Sequence, residues 1–225
     1  MTRELFQRHL RDLQDHVLAM GSMVETALFR SMEALKNRNP DLARQVIAED
    51  RLIDAKRYQI EEECIDLIVT QQPMASDLRI IIAVLNIIVD LERIADHGEG
   101  IGRICIMIGE EPPLKPLVDL PRMTELTISM LHRTLEAFIN HDAETARKIC
   151  AEDDAVDNLY DQVFRELLLF MAEDPKTITR ATRLIWVAHN LERSADRVTN
   201  IAERVIYVVT GGHGSLNAAG QQSAT

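Results

Sequence analysis

The chain has 225 residues, enough for one large domain or two compact halves, and 25 basic against 36 acidic residues give a formal net charge of −11. An acidic surface of that size repels phosphodiester backbones and anionic lipid, which excludes a general nucleic-acid binder and a polybasic membrane clamp. With 9 Gly, 7 Pro and only 4% aromatic residues, the composition favours helices over strands and over aromatic base-stacking platforms.

A first helix is predicted over residues 3–37, where Leu13, Val17, Met20, Val24, Ala27 or Leu28, Ser31 and Leu35 step by threes and fours like the seam of a bundle helix. Asn39-Pro40 punctuates it, and a second helix is predicted over 41–71, ended by Gln72-Pro73. The third spans 75–108. Its Ile80–Val89 stretch is rich in β-branched residues, but its length and lack of turn signals favour a buried helix over a strand. Pro112, Pro113, Pro116 and Pro121 crowd into a linker over 110–121. Helices follow at 122–140, 142–172 and 177–209, the last two separated by Asp174-Pro175, and the small, polar tail 211–225 is expected to be disordered.

No apolar run is long enough to span a bilayer, and Met1-Thr-Arg-Glu-Leu-Phe carries no secretory signal pattern. The widely spaced Cys64, Cys105 and Cys150 form no CxxC pair and are expected to be reduced, buried thiols in a cytoplasmic protein. The single Trp186 and the nine methionines are expected to fill the core.

An internal repeat organises the chain. Leu91-Glu-Arg-Ile-Ala-Asp96 returns as Leu191-Glu-Arg-Ser-Ala-Asp196, an offset of 100, and Ala48-Glu-Asp-Arg-Leu-Ile-Asp54 returns as Ala151-Glu-Asp-Asp-Ala-Val-Asp157, an offset of 103. The predicted fold is therefore all-α, two tandem three-helix bundles at 1–109 and 122–210.

Each unit carries two carboxylates four residues apart on its second helix and two more on its third. These are Asp50 with Asp54, Glu92 with Asp96, Asp153 with Asp157, and Glu192 with Asp196. That spacing stacks both side chains on one helical face, where like charges cost roughly 0.2–0.5 kcal/mol per pair. One reading compensates the charge locally, with Arg93 and Arg193 pairing with Asp96 and Asp196. The other brings helices two and three of each unit together and compensates it with a hard or borderline metal ion. Gly98-Glu-Gly-Ile-Gly102 follows no strand and is expected to mark a kink or a close helix contact rather than a phosphate loop. The absence of any Glu-x-x-His counts against a ferritin-like di-iron enzyme.

The four acidic motifs in this order, with the opening amphipathic helix and its Met20-Gly-Ser-Met-Val24, resemble the PhoU family of phosphate-transport regulators over nearly the whole chain. The resemblance implies a cytoplasmic negative regulator, not an enzyme, that links the ATPase subunit of a phosphate ABC transporter to a sensor histidine kinase. It also implies metal ions (Fe, Zn, Mn or Mg) at Asp50, Asp54, Glu92 and Asp96, and at Asp153, Asp157, Glu192, Asp196 and Asn200. Gly100 stands where Asn200 stands in the second unit, leaving one oxygen fewer there. Further partners implied are a second copy of the chain, but neither nucleic acid nor direct membrane insertion. The competing readings are a metal-dependent enzyme using the carboxylates and a metal-free helical scaffold.

Overall fold

The computed structural model describes residues 3–109 and 111–212; most of the tail lies outside them. Among the described residues there are six long helices and no strand. They are α1 (Arg3–Asn37), α2 (Pro40–Gln71), α3 (Ala75–Ile108), α4 (Asp119–Asn140), α5 (Ala143–Glu173) and α6 (Ile178–Thr210), with a 3-10 turn at Pro175–Thr177. The β-branched Ile80–Val89 stretch is helical, as its length requires.

Helix α4 starts three residues before the predicted 122 and takes Pro121 into its first turn. The amides of a first turn have no intrahelical acceptor, so a proline there removes no hydrogen bond. The linker before it is pinned, since Arg180 Nη1 donates to the Pro112 carbonyl at 3.0 Å and Lys115 bridges Asp119 and Glu166.

The repeat survives in local geometry. Arg38 and His141 both take left-handed backbone, with φ of 50° and 54°, to end α1 and α4. One residue later, Asn39 and Asp142 cap the next helix, accepting from the Leu42 amide and from the Glu144 and Thr145 amides respectively. Arg30 pairs with Glu49, and its equivalent Arg133 pairs with Glu152, so the first helix of each unit holds the first glutamate of the acidic motif on the second.

Helices α1, α3, α6 and α4 form a closed ring of neighbours, with α2 flanking α1 and α3 and α5 flanking α4 and α6. Buried side chains from all six helices join one cluster, so the two units share a continuous core. Fully buried Leu91 and Ile94 of α3 and Leu191 and Ile201 of α6 lie within it. The three helical glycines of α3 serve close contacts. Gly98 lies against the α1 backbone at Ala27 and Leu28, Gly102 against the Ala43 carbonyl of α2, and Gly100 against Asn190 of α6.

Three expectations about burial need correction. Trp186 is 51% exposed, because it occupies the outer stripe of α6 where α3 carries Asn86. Met74 and Met107 are exposed near the two ends of α3, beyond the reach of the core, while Met20, Met32, Met123 and Met130 do fill it. Cys64 and Cys105 are buried but Cys150 is only half-buried; burial pushes the Cys64 thiol up to about 12 and the Cys150 thiol to about 11.

Candidate metal centre

The pairing of α2 with α3, and of α5 with α6, lays the acidic stripe of one helix beside that of the next. In the first unit Asp50 and Asp54 of α2 meet Glu92 and Asp96 of α3. Burial, followed by the fields of Asp54, Glu99, Asp96 and Glu92, pushes the Asp50 carboxyl up to about 6. In the second, burial and then Asp157, Asp196, Glu192 and Asp154 push Asp153 up to about 6. Asp96, Asp157 and Glu192 are also raised, in each case mainly by burial. The matching shifts of Asp50 and Asp153, at equivalent places in the two repeats, distinguish these two carboxylates from freely solvated surface charge.

Local cations offset part of this strain. Arg93 Nη1 lies 3.4 Å from Asp96, and Arg193 Nη1 donates to Asp196 at 3.0 Å, as the three-residue spacing predicts. In the first unit Arg57 adds a contact 3.7 Å from Glu92. The equivalent position in the second is Tyr160, and there His189 Nδ1 stands 3.4 Å from Glu192 without the alignment of a hydrogen bond. The Glu192 Oε2 atom is consequently buried with no hydrogen-bond partner. The second cluster therefore carries the larger uncompensated negative charge.

Two carboxylates that the pair pattern passed over contribute. Glu99 joins the first cluster and pairs with Arg103 at 2.6 Å; its seven-residue spacing from Glu92 was the available signal. Asp154 joins the second, where the first unit has Arg51. Asn200, by contrast, donates its Nδ2 to Asp90 of α3 at 3.5 Å, placing its amide at the α3–α6 seam. Arg197 Nη1 reaches the same Asp90 oxygen at 3.3 Å, and in mirror fashion Asn190 faces His97 and Gly100. Position 90 meets 197 and 200 while 190 meets 97 and 100, so α3 and α6 run antiparallel about a pseudo-twofold axis.

The donor set is all oxygen, which suits hard or borderline cations such as Mg, Mn or Fe, and Glu192 Oε2 is a buried ligand atom that no hydrogen bond satisfies. Among the described residues no group of three or more His, Cys, Asp or Glu side chains is gathered in a ligating arrangement.

The PhoU domain profile matches residues 17–105 and 120–205, one copy per three-helix unit. The chain is 36% identical over 218 residues to a phosphate-specific transport system accessory protein PhoU homologue of Clostridium acetobutylicum, covering 96% of this chain and 100% of that one. It is 40% identical over 204 residues to the homologue of Aquifex aeolicus, covering 91% and 92% of the two chains. The crystal structure of PhoU from Pseudomonas aeruginosa superposes with a TM-score of 0.87 at 37% identity, covering 92% of this chain and 100% of that one. The phosphate transport system regulatory protein PhoU from Streptococcus pneumoniae gives 0.88 at 30% identity, covering 94% and 100%. With both repeats matched and this much of each relative covered, the chain belongs to the PhoU family.

Proposed function

We propose that the protein is a cytoplasmic negative regulator of phosphate uptake and of the phosphate-starvation response. It acts as an adaptor between the ATPase subunit of a phosphate ABC transporter and a sensor histidine kinase, and its two acidic clusters hold divalent or trivalent metal ions. The observation that carries the regulatory reading is the near full-length similarity to relatives named as accessory and regulatory proteins of phosphate transport. No helix among the described residues is long and apolar enough to cross a membrane. The metal reading rests on the duplicated clusters and the buried Glu192 oxygen that no hydrogen bond satisfies.

Deleting the gene in its host is expected to make phosphate-starvation genes constitutive in phosphate-rich medium while uptake remains competent. Reporter expression in the deletion strain, with and without a plasmid copy, checks this. Starvation genes that stay tightly repressed after deletion, in a host without a second copy of the family, contradict it. Loss of phosphate uptake itself, with the reporter silent, would favour a transport component or an enzyme instead.

A further inference from the structure

The internal repeat extends to a pair of surface grooves outside the acidic clusters. In the first unit α1 and α2 leave a groove of about 350 Å³, where Asp12 and His16 of α1 stand beside Glu63, Asp66 and Thr70 of α2 around buried Leu67. At the offset of 103 found for the second-helix motif, these six positions become Lys115, Asp119, Glu166, Thr70's equivalent Glu173, and Leu169 and Phe170 in place of Asp66 and Leu67. All six of those residues line one groove of the second unit. The two grooves therefore occupy the same place in the two repeats.

Their charge differs. The second groove carries three carboxylates, Asp119, Glu166 and Glu173, and one ammonium, for Lys115 Nζ donates to Asp119 at 3.1 Å and also to Glu166. The first also carries three carboxylates, but Asp12 stands at the lysine position and the groove has no ammonium. His16 Nδ1 lies 2.7 Å from one Glu63 oxygen and Gln59 donates to the other at 2.7 Å, so Glu63 is satisfied. Among the described residues the Asp12 and Asp66 carboxylates have neither hydrogen bond nor ion pair, and neighbouring Arg8 and Arg11 pair with neither. Both aspartates are exposed and within reach of a ligand.

We propose that the α1–α2 groove receives a lysine side chain of a partner protein, its ammonium between Asp12 and Asp66 and its methylene stem over Leu67. The inference deepens the adaptor reading, on which it rests for the existence of a partner. The second unit selects the occupant, because its equivalent groove holds a lysine ammonium on carboxylates from the matching pair of helices. A lysine buries its stem on apolar surface and offers three rotatable donors, so it accepts carboxylates that are not preset around one point. A metal ion needs such presetting, and no three ligating side chains converge among the described residues. Phosphate-bearing ligands are repelled by the three carboxylates.

The test uses the full chain and a peptide with blocked ends copied from Pro112–Val118, in which the lysine is the only charge. The ring resonances of His9 and His16, both in the groove, report its arrival by NMR at low salt. Saturable shifts are expected. Asp12→Asn with Asp66→Asn should weaken binding by about fivefold or more, and acetylating the peptide lysine should cost as much. Asp41→Asn with Glu136→Gln, the same charge change elsewhere, should alter it by less than about 1.5-fold. Asp12→Lys, which installs the second unit's residue, should abolish binding, and circular dichroism verifies that each variant folds. Four outcomes overturn the proposal: no shifts, equal binding of the acetylated peptide, equal losses in both double variants, or cadaverine binding more than about tenfold more tightly than the peptide, which would make the ligand a free amine. None of these would alter the expected phenotype of the deletion strain, so the failure of this inference and of the regulatory reading are distinguishable.

Discussion

Leu91→Ala and its repeat equivalent Leu191→Ala are each expected to lower stability by about 2–5 kcal/mol through one shared cooperative transition. Both leucines are fully buried, in the third helix of each unit, and belong to the same connected cluster. Truncation removes the transfer energy of three side-chain carbons, one methine and two methyls, and leaves a cavity that four ring helices cannot easily close. For a chain of this size the loss corresponds to a fall of about 5–15 °C in melting temperature. Calorimetry of the wild type and the two variants is the measurement. A single transition that moves down in both fits one core shared by the two units. Two separable transitions, each sensitive to only one substitution, would mean that the repeats fold as independent domains.

The acidic clusters should make the metal-free protein more stable in mild acid than at neutrality. Asp50 and Asp153 are each raised to about 6, well above the ordinary aspartate value of 3.8 that holds in the unfolded chain. The folded state therefore binds these protons more tightly than the unfolded state does. Their favourable contribution is fully present below about pH 4 and is lost as pH rises through about 6. Asp50→Asn and Asp153→Asn remove the penalty, so each variant should be more stable than wild type above pH 6 and nearly equal to it below pH 4. Both carboxyls still meet solvent, and after discounting for screening the gain at pH 7 is on the order of 1 kcal/mol each. Chemical denaturation at pH 4, 5.5 and 7 in the presence of chelator reads this directly. Variants that lose stability at pH 7 would show that the aspartates make favourable contacts there instead of suffering repulsion.

How much of this was legible in the sequence depends on whether the signal was local or lay across helices. Helix spans followed from three-and-four periodicity and proline punctuation, and the Asn39 and Asp142 caps lie at turn positions that the repeat conserves in geometry. The acidic pairs were visible because four-residue spacing is a property of one helix. Partners across helices were not. Asn200 continues the Glu192 and Asp196 series by another four residues, but that series rotates about 40° with each step, which carries its side chain to Asp90 on α3. Trp186 was assigned to the core from its residue type, yet its stripe faces out. Arg57, which compensates Glu92 from α2, has no fixed sequence spacing from it and appears only when the two helices are packed.

The claim that the paired carboxylates are cation sites is tested most directly by thermal melts of chelator-stripped protein with added Mn, Mg or ferrous iron. A metal that binds the folded state alone at about 100 times its dissociation constant stabilises by about 2.7 kcal/mol, a rise of roughly 5–10 °C for a chain of this size. Asp96→Asn, Asp196→Asn, Glu92→Gln and Glu192→Gln should each show a smaller rise than wild type. The reduction should be larger for changes in the second cluster, which has no counterpart of Arg57 to compensate it. Equal responses, or none, in wild type and all four variants would contradict the metal reading and leave the carboxylates as solvated helix faces held by Arg93 and Arg193.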